Sequence, residues 1–131
     1  MENKDFDAWS NHKKEIEHVF VEKYSHPREV WWCSLGVNIG AEVDGKNNKF
    51  ERPVVIMKVY NKQTLVVLPL TTKEKIDKFH FKLRIKEDID VWVKLTQMRV
   101  ISSKRLIRRV DFLSEEVFSE LKSIWLDSLC L

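Results

Sequence analysis

Between residues 30 and 101 the sequence breaks into short β-branched and aromatic runs, with a helical stripe on either side. The clearest run is Phe79, Phe81, Leu83 and Ile85, alternating with His80, Lys82, Arg84 and Lys86. A strict period of two predicts a strand with one buried and one solvated face. Val30 to Leu35, Pro53 to Met57, Leu65 to Leu68, Val91 to Val93 and Gln97 to Ile101 supply further strands. Asn61-Lys62-Gln63 suits a hairpin turn between the second and third of these. Upstream, Phe6, Trp9, Ile16, Val19 and Phe20 predict an amphipathic helix over residues 5 to 24. It stops before Pro27, because proline disfavours helical geometry in the preceding residue. Downstream, Ser114 caps a second helix carrying Val117, Phe118, Leu121, Ile124, Trp125 and Leu129 on one wide apolar face. Glu115 and Glu116 in its first turn complement the helix dipole. Short strands and a terminal helix predict a mainly β, α+β fold: a small barrel or strongly bent sheet with helices outside.

With 131 residues, the chain fits one domain. Hydrophobic residues at 44% and charged residues at 33% exclude a disordered chain. No apolar stretch approaches the roughly 20 residues of a membrane span, and the charged start does not read as a signal peptide. Cys33 and Cys130 lie far apart with no CxxC pair, so a reduced, cytoplasmic protein is the expectation. A net charge of +3 permits a nucleic-acid partner without requiring one.

All three glycines, Gly36, Gly40 and Gly45, fall in the polar segment from 36 to 51. That clustering predicts a loop with unusual backbone angles. Arg52 stands where this loop enters a buried strand, and its planar donor fork suits a phosphate. An ion pair with Glu42 or Glu51 is the competing reading, and position alone favours it. Thr71 and Thr72 end the next strand, where hydroxyls bond a phosphate or cap a turn. With the hairpin turn at the far end of the two strands, Arg52 and Thr71 converge beside the glycine loop. His12, His18, His26 and His80 lack metal-ligand spacing, and P-loop, GxGxxG and GxSxG motifs are missing, so no metal or cofactor is expected. Lys104, Arg105, Arg108 and Arg109 read as a solvated loop. Trp31, Trp32 and Trp92 read as core residues.

Together these residues resemble the PemK/MazF family of bacterial toxin endoribonucleases. The resemblance begins at Arg28-Glu29-Val30-Trp31-Trp32-Cys33-Ser34-Leu35, similar to the family's opening strand. Gly40, Glu42 and Gly45 follow as in its G-x-E-x-x-G loop, then Arg52-Pro53-Val54-Val55-Ile56 and Pro69-Leu70-Thr71-Thr72. Gln97-Met98-Arg99-Val100-Ile101, Ser103-Lys104-Arg105-Leu106 and Leu113-Ser114-Glu115-Glu116 complete the order. The match covers about residues 28 to 129, leaving 1–27 as an N-terminal helical extension to a toxin domain over 28–131.

The resemblance implies an SH3-like β-barrel with a C-terminal helix, in a homodimer neutralised by an antitoxin protein. It implies metal-independent, sequence-selective cleavage of single-stranded RNA by 2′-OH attack on phosphate. Arg52 and Thr71 would be catalytic, and Glu42 a loop contributor to the chemistry. Lys46, Thr72, Lys73, Lys94, Gln97 and Arg99 would bind RNA. Thr96 occupies a position that is often acidic in the family, so a general base from that position is missing. That departure motivates the alternative of a non-catalytic RNA-binding or gyrase-directed module on the same barrel. Residues 1 to 27 lie outside the compact family pattern, and a third reading is that a helix over 5 to 24 regulates access to the groove, so that deleting residues 1 to 26 raises cleavage.

Overall fold

The structure is a computed structural model describing residues 4–19, 23–46 and 50–130. Helix α1 (Phe6–Glu17) is capped by Asp5, whose carboxylate accepts from the Ala8 N–H at 2.8 Å. It is shorter than the stripe over 5–24 predicts. A helix this short depends on tertiary packing, and Trp9 is its only buried residue. Phe20 lies outside the described residues.

Strand β1 (Glu29–Ser34) is flanked by β2 (Glu51–Asn61) and β7 (Leu106–Phe112), both antiparallel to it. β2 turns into β3 (Thr64–Thr71) through Lys62-Gln63, as expected, and the Asn61 carboxamide oxygen accepts from the Gln63 N–H at 2.8 Å. Every residue of β3 from Leu65 to Thr71 is buried, because three strands use its two edges. β2 takes one edge. On the other, β6 (Arg99–Ser102) pairs with Thr64–Val67, and β5 (Ile89–Lys94) pairs with Leu70 and Thr71. β5 continues to β4 (His80–Ile85) in the register Phe81↔Val93, Leu83↔Val91. Leu83 and Ile85 are buried while Lys82 and Arg84 are exposed, as the alternation predicts.

The expected barrel is not closed. The sheet runs β4-β5-β3-β2-β1-β7, with β6 beside β3, so β4 and β7 remain its two ends. Both ends nevertheless face one core. Leu83 and Ile85 of β4 and Val110 of β7 pack with Leu121 and Trp125 of α2 (Glu115–Ser128). A second core on the opposite face joins Trp31, Cys33, Leu35, Val54, Ile56 and Leu106. The Ser114 cap forms as predicted, its hydroxyl accepting from the Val117 N–H at 3.2 Å.

Strand β7 corrects the solvated loop expected around Arg108 and Arg109. Consecutive arginines break the alternation that marks a strand in sequence. Here they pair with Trp32 and Trp31, and register shifts on either side absorb Ile107 and Val110. Such bulges let a strand keep its pairing while re-aiming side chains. Among the described residues, no helix is long and apolar enough to cross a membrane.

Candidate active site

The glycine-bearing loop between β1 and β2 is built by backbone bonds. Gly36 has φ of +80°, and its carbonyl accepts from the Gly45 N–H at 2.6 Å. A Cβ on Gly45 would fall 1.6 Å from the Phe50 carbonyl oxygen, so only glycine fits that crossing. Asn38 organises the interior. Its N–H donates to the Asp44 carboxylate at 2.6 Å, and its carboxamide donates to the carbonyls of Leu35 and Val43 at 3.2 and 2.8 Å.

Arg52 receives its orientation from this loop and from β3. Its Nε donates to the Asp44 carbonyl at 2.6 Å, and a terminal nitrogen donates to the Leu70 carbonyl at 3.1 Å. The expected ion-pair partners make other contacts, although Glu51 lines the same cleft as Arg52. The Glu42 carboxylate accepts from the Ile39 N–H at 2.9 Å, and Glu51 meets Arg108 at 3.6 Å. Two carbonyl anchors fix a guanidinium without neutralising it, which leaves its charge for an anion. Burial holds its pKa below the usual arginine value, against the opposing pull of the Asp44 charge.

The β2–β3 register pairs Val54 with Pro69 and Val55 with Leu68. Continued by two residues, it sets Arg52 opposite Thr71, and cross-strand neighbours share a face. Thr71 is buried, and its hydroxyl oxygen accepts from the Lys73 N–H at 3.2 Å. A hydroxyl that accepts one bond retains its own O–H to donate. Arg52, Thr71, Thr72 and Lys46 line one cleft of about 270 Å³, whose apolar wall includes Trp32 and Val91.

Positive charge gathers around Lys94, which is not among the residues lining the cleft. Lys94, at the end of β5, is held below the usual lysine pKa, first by burial and then by repulsion from Arg52, Lys75, Lys73 and Lys46. Unrelieved repulsion of this kind is relieved by a polyanion.

Glu42, Gln97 and Arg99 fall elsewhere, lining a separate depression of about 360 Å³ with Thr96. Gln97, two residues ahead of β6, reaches the glycine loop, and Arg99 of β6 reaches the residue just before it. The Gln97 carboxamide accepts from the Val43 N–H at 3.2 Å, and Arg99 donates to the Leu35 carbonyl at 3.1 Å. Two residues escaped the sequence reading. Asp44 acts through a main-chain carbonyl, which leaves no mark on residue type. Trp32 was expected in the core, yet it is half-buried and lines the cleft, with the Arg108 guanidinium 5.1 Å from its ring. A signal for it existed: adjacent tryptophans on a strand point to opposite faces, so Trp31 and Trp32 cannot share one. Among the described residues, no group of three or more His, Cys, Asp or Glu side chains is arranged to hold a metal ion.

The family model of the PemK-like, MazF-like toxin of type II toxin–antitoxin systems matches residues 26–126. The chain belongs to this family. Its fold is similar to that of solved PemK/MazF proteins. A MazF crystal structure from Deinococcus radiodurans is 17% identical, covers 84% of this chain and 100% of its own, and gives a TM-score of 0.70. An endoribonuclease in complex with its cognate antitoxin, from a mycobacterial species, is 12% identical, covers 82% and 97%, and gives 0.64. A MazE–MazF structure from D. radiodurans is 17% identical, covers 83% and 99%, and gives 0.61. No curated protein matches the sequence.

Proposed function

We propose that this chain is the toxin of a type II toxin–antitoxin system, an endoribonuclease that cleaves single-stranded RNA at a selected sequence without a metal ion. Arg52 and Thr71, each two positions beyond the Val54–Pro69 pair of β2 and β3 and both lining one cleft, carry the reading. Membership of the PemK/MazF family and the endoribonuclease among its fold neighbours support it.

In the proposed reaction the ribose 2′-OH attacks the adjacent phosphate, leaving a cyclic phosphate and a 5′-hydroxyl. Negative charge builds on the phosphorus oxygens as the fifth bond forms. A guanidinium already held by two carbonyls meets that charge with little reorganisation, which makes fixed donors effective. Thr71 donates its hydroxyl to the same phosphate. Lys46, Thr72, Lys73 and Lys94 hold the flanking backbone. Gln97 and Arg99 extend the RNA contact beyond the cleft, and Glu42 contributes from the loop. Thr96 has no carboxylate, so removal of the 2′-proton falls to another group or to solvent. Residues 28–131 form the toxin domain in this reading, and 1–27 extend it. The partners are a second copy of the chain and an antitoxin whose flexible segment folds over the RNA groove. The setting is the cytoplasm.

The test is purified protein with a long single-stranded RNA in EDTA, beside Arg52→Ala, with the 5′ ends of the fragments mapped. Cuts at a recurring motif, reduced at least about 100-fold in the variant, are the expected result. Equal cleavage by Arg52→Ala rejects the mechanism. Thr96 favours a second reading, a non-catalytic RNA-binding or gyrase-directed module. RNA bound but left intact supports the binder, and inhibited gyrase with intact RNA supports the other form.

A further inference from the structure

Residues before 26 lie outside the family match, yet α1 is packed onto the loop that anchors Arg52. Trp9 is 5% exposed. Its indole covers Gly36 so closely that a Cβ there would meet ring carbon Cε2 at 1.9 Å. The same ring lies 5.3 Å from that of Phe50, between centroids, and the Arg105 guanidinium lies 5.4 Å from it. Trp9 therefore touches both ends of the loop, since the Phe50 carbonyl accepts from the N–H groups of Leu35 and Gly36 at 3.0 and 3.2 Å. Ahead of the helix, Lys4 donates to the Asn38 carbonyl at 2.5 Å and pairs with the Asp44 carboxylate at 3.1 Å. The far end is tied down by Lys104, whose Nζ donates to the Glu17 carbonyl at 3.0 Å.

Asp44 links the two systems. Its side chain meets Lys4, while its carbonyl accepts from Arg52 Nε. No described residue of the N-terminal segment lines the cleft holding Arg52 and Thr71. We propose that Lys4 and Trp9 are positioning residues: the N-terminal segment clamps the glycine loop so that the Asp44 carbonyl holds the Arg52 guanidinium toward the reacting phosphate. The segment is thus a built-in support for the site rather than a cover over it. Its removal lowers cleavage, the opposite sign to that expected of a helix regulating access. The inference rests on the endoribonuclease reading and deepens it.

The test uses the full chain, because Trp9 is buried and its removal risks the fold. Lys4→Ala lowers kcat about tenfold while KM stays within about twofold, since the interaction acts on the transition-state partner. Lys4→Arg restores the rate, and Lys14→Ala, on the exposed side of α1, leaves it unchanged. Asp44→Asn reproduces the loss, and the double variant loses no more than either single, as coupled residues require. Hydrogen exchange gives a second readout: in Lys4→Ala the amides of residues 36–45 exchange faster, while those of β2 and β3 keep their protection. Wild-type kcat in Lys4→Ala, with Arg52→Ala inactive, overturns the clamp and leaves the nuclease standing. Cleavage indifferent to Arg52 rejects the nuclease reading instead. The exchange rates then decide the clamp alone, and unchanged rates at 36–45 overturn it.

Discussion

Arg52 and Cys33 are paired across β2 and β1, and burial acts on them in different ways. Arg52 keeps its charge because two carbonyls solvate it in place of water. Cys33 is fully buried and keeps its proton. Burial pushes the thiol up to about 12, despite the opposing charges of Arg105 and Arg99. The sign of the stability effect follows from linkage. The folded state binds the Cys33 proton more tightly than the unfolded state does. The contribution is complete below pH 9.0 and is lost as pH rises toward about 12. Urea midpoints of wild type and Cys33→Ala, measured across that range, are expected to converge as pH rises. A constant difference would show that the thiol does not titrate with unfolding. At neutral pH, iodoacetamide is expected to label exposed Cys130 and spare Cys33 in the native protein. Sequence singled out Arg52, since a charged residue between a glycine loop and a β-branched run stands out. It could not reveal the anchors. Asp44 and Leu70 serve through their carbonyls, and every residue type has one.

At the scale of elements, legibility followed local periodicity. The β4 alternation, the β2–β3 turn and the Ser114 cap were readable because each is set by residues within a few positions of one another. β7 was not, because its pairing with β1 tolerates two bulges and its arginines look like surface charge. α1 was read too long, because the apolar stripe continues to Val19 while the helix ends at Glu17. The contribution of α2 rests on Leu121, fully buried in the core shared by β4 and β7, and on the Ser114 cap. Leu121→Ala is expected to cost about 2–5 kcal/mol by leaving a cavity, against about 1 kcal/mol for Ser114→Ala. Thermal or urea unfolding measures both. Equal small losses would mean that α2 is held by its cap and not by the core.

For the whole molecule, the decisive property is where the fold concentrates positive charge. The net charge of +3 is modest, but Arg52, Lys75, Lys73 and Lys46, from two other stretches of the chain, all repel Lys94. If each meets a phosphate, RNA affinity falls with salt at a log–log slope of about −3.5, from about −0.7 per contact on single strands. Lys94→Ala is expected to flatten that slope by about 0.7. Filter binding from low to moderate salt measures it. A slope unchanged by the substitution would remove Lys94 from the RNA path.

Sequence by itself determined the order of elements other than β7, the glycine loop and the strand positions of Arg52 and Thr71. These depend on spacing and backbone freedom within short windows. The ordered motifs also carried the family. Only the tertiary structure decided which charges gather around Lys94, which residues line a separate depression beside the glycine loop, and that the sheet stays open between β4 and β7. It also decided that Trp9 of α1 packs on Gly36 of the loop, with no described residue of α1 lining the cleft. Those outcomes depend on contacts between residues tens of positions apart. Such contacts form only once packing has fixed each element against its neighbours, and no local pattern records them.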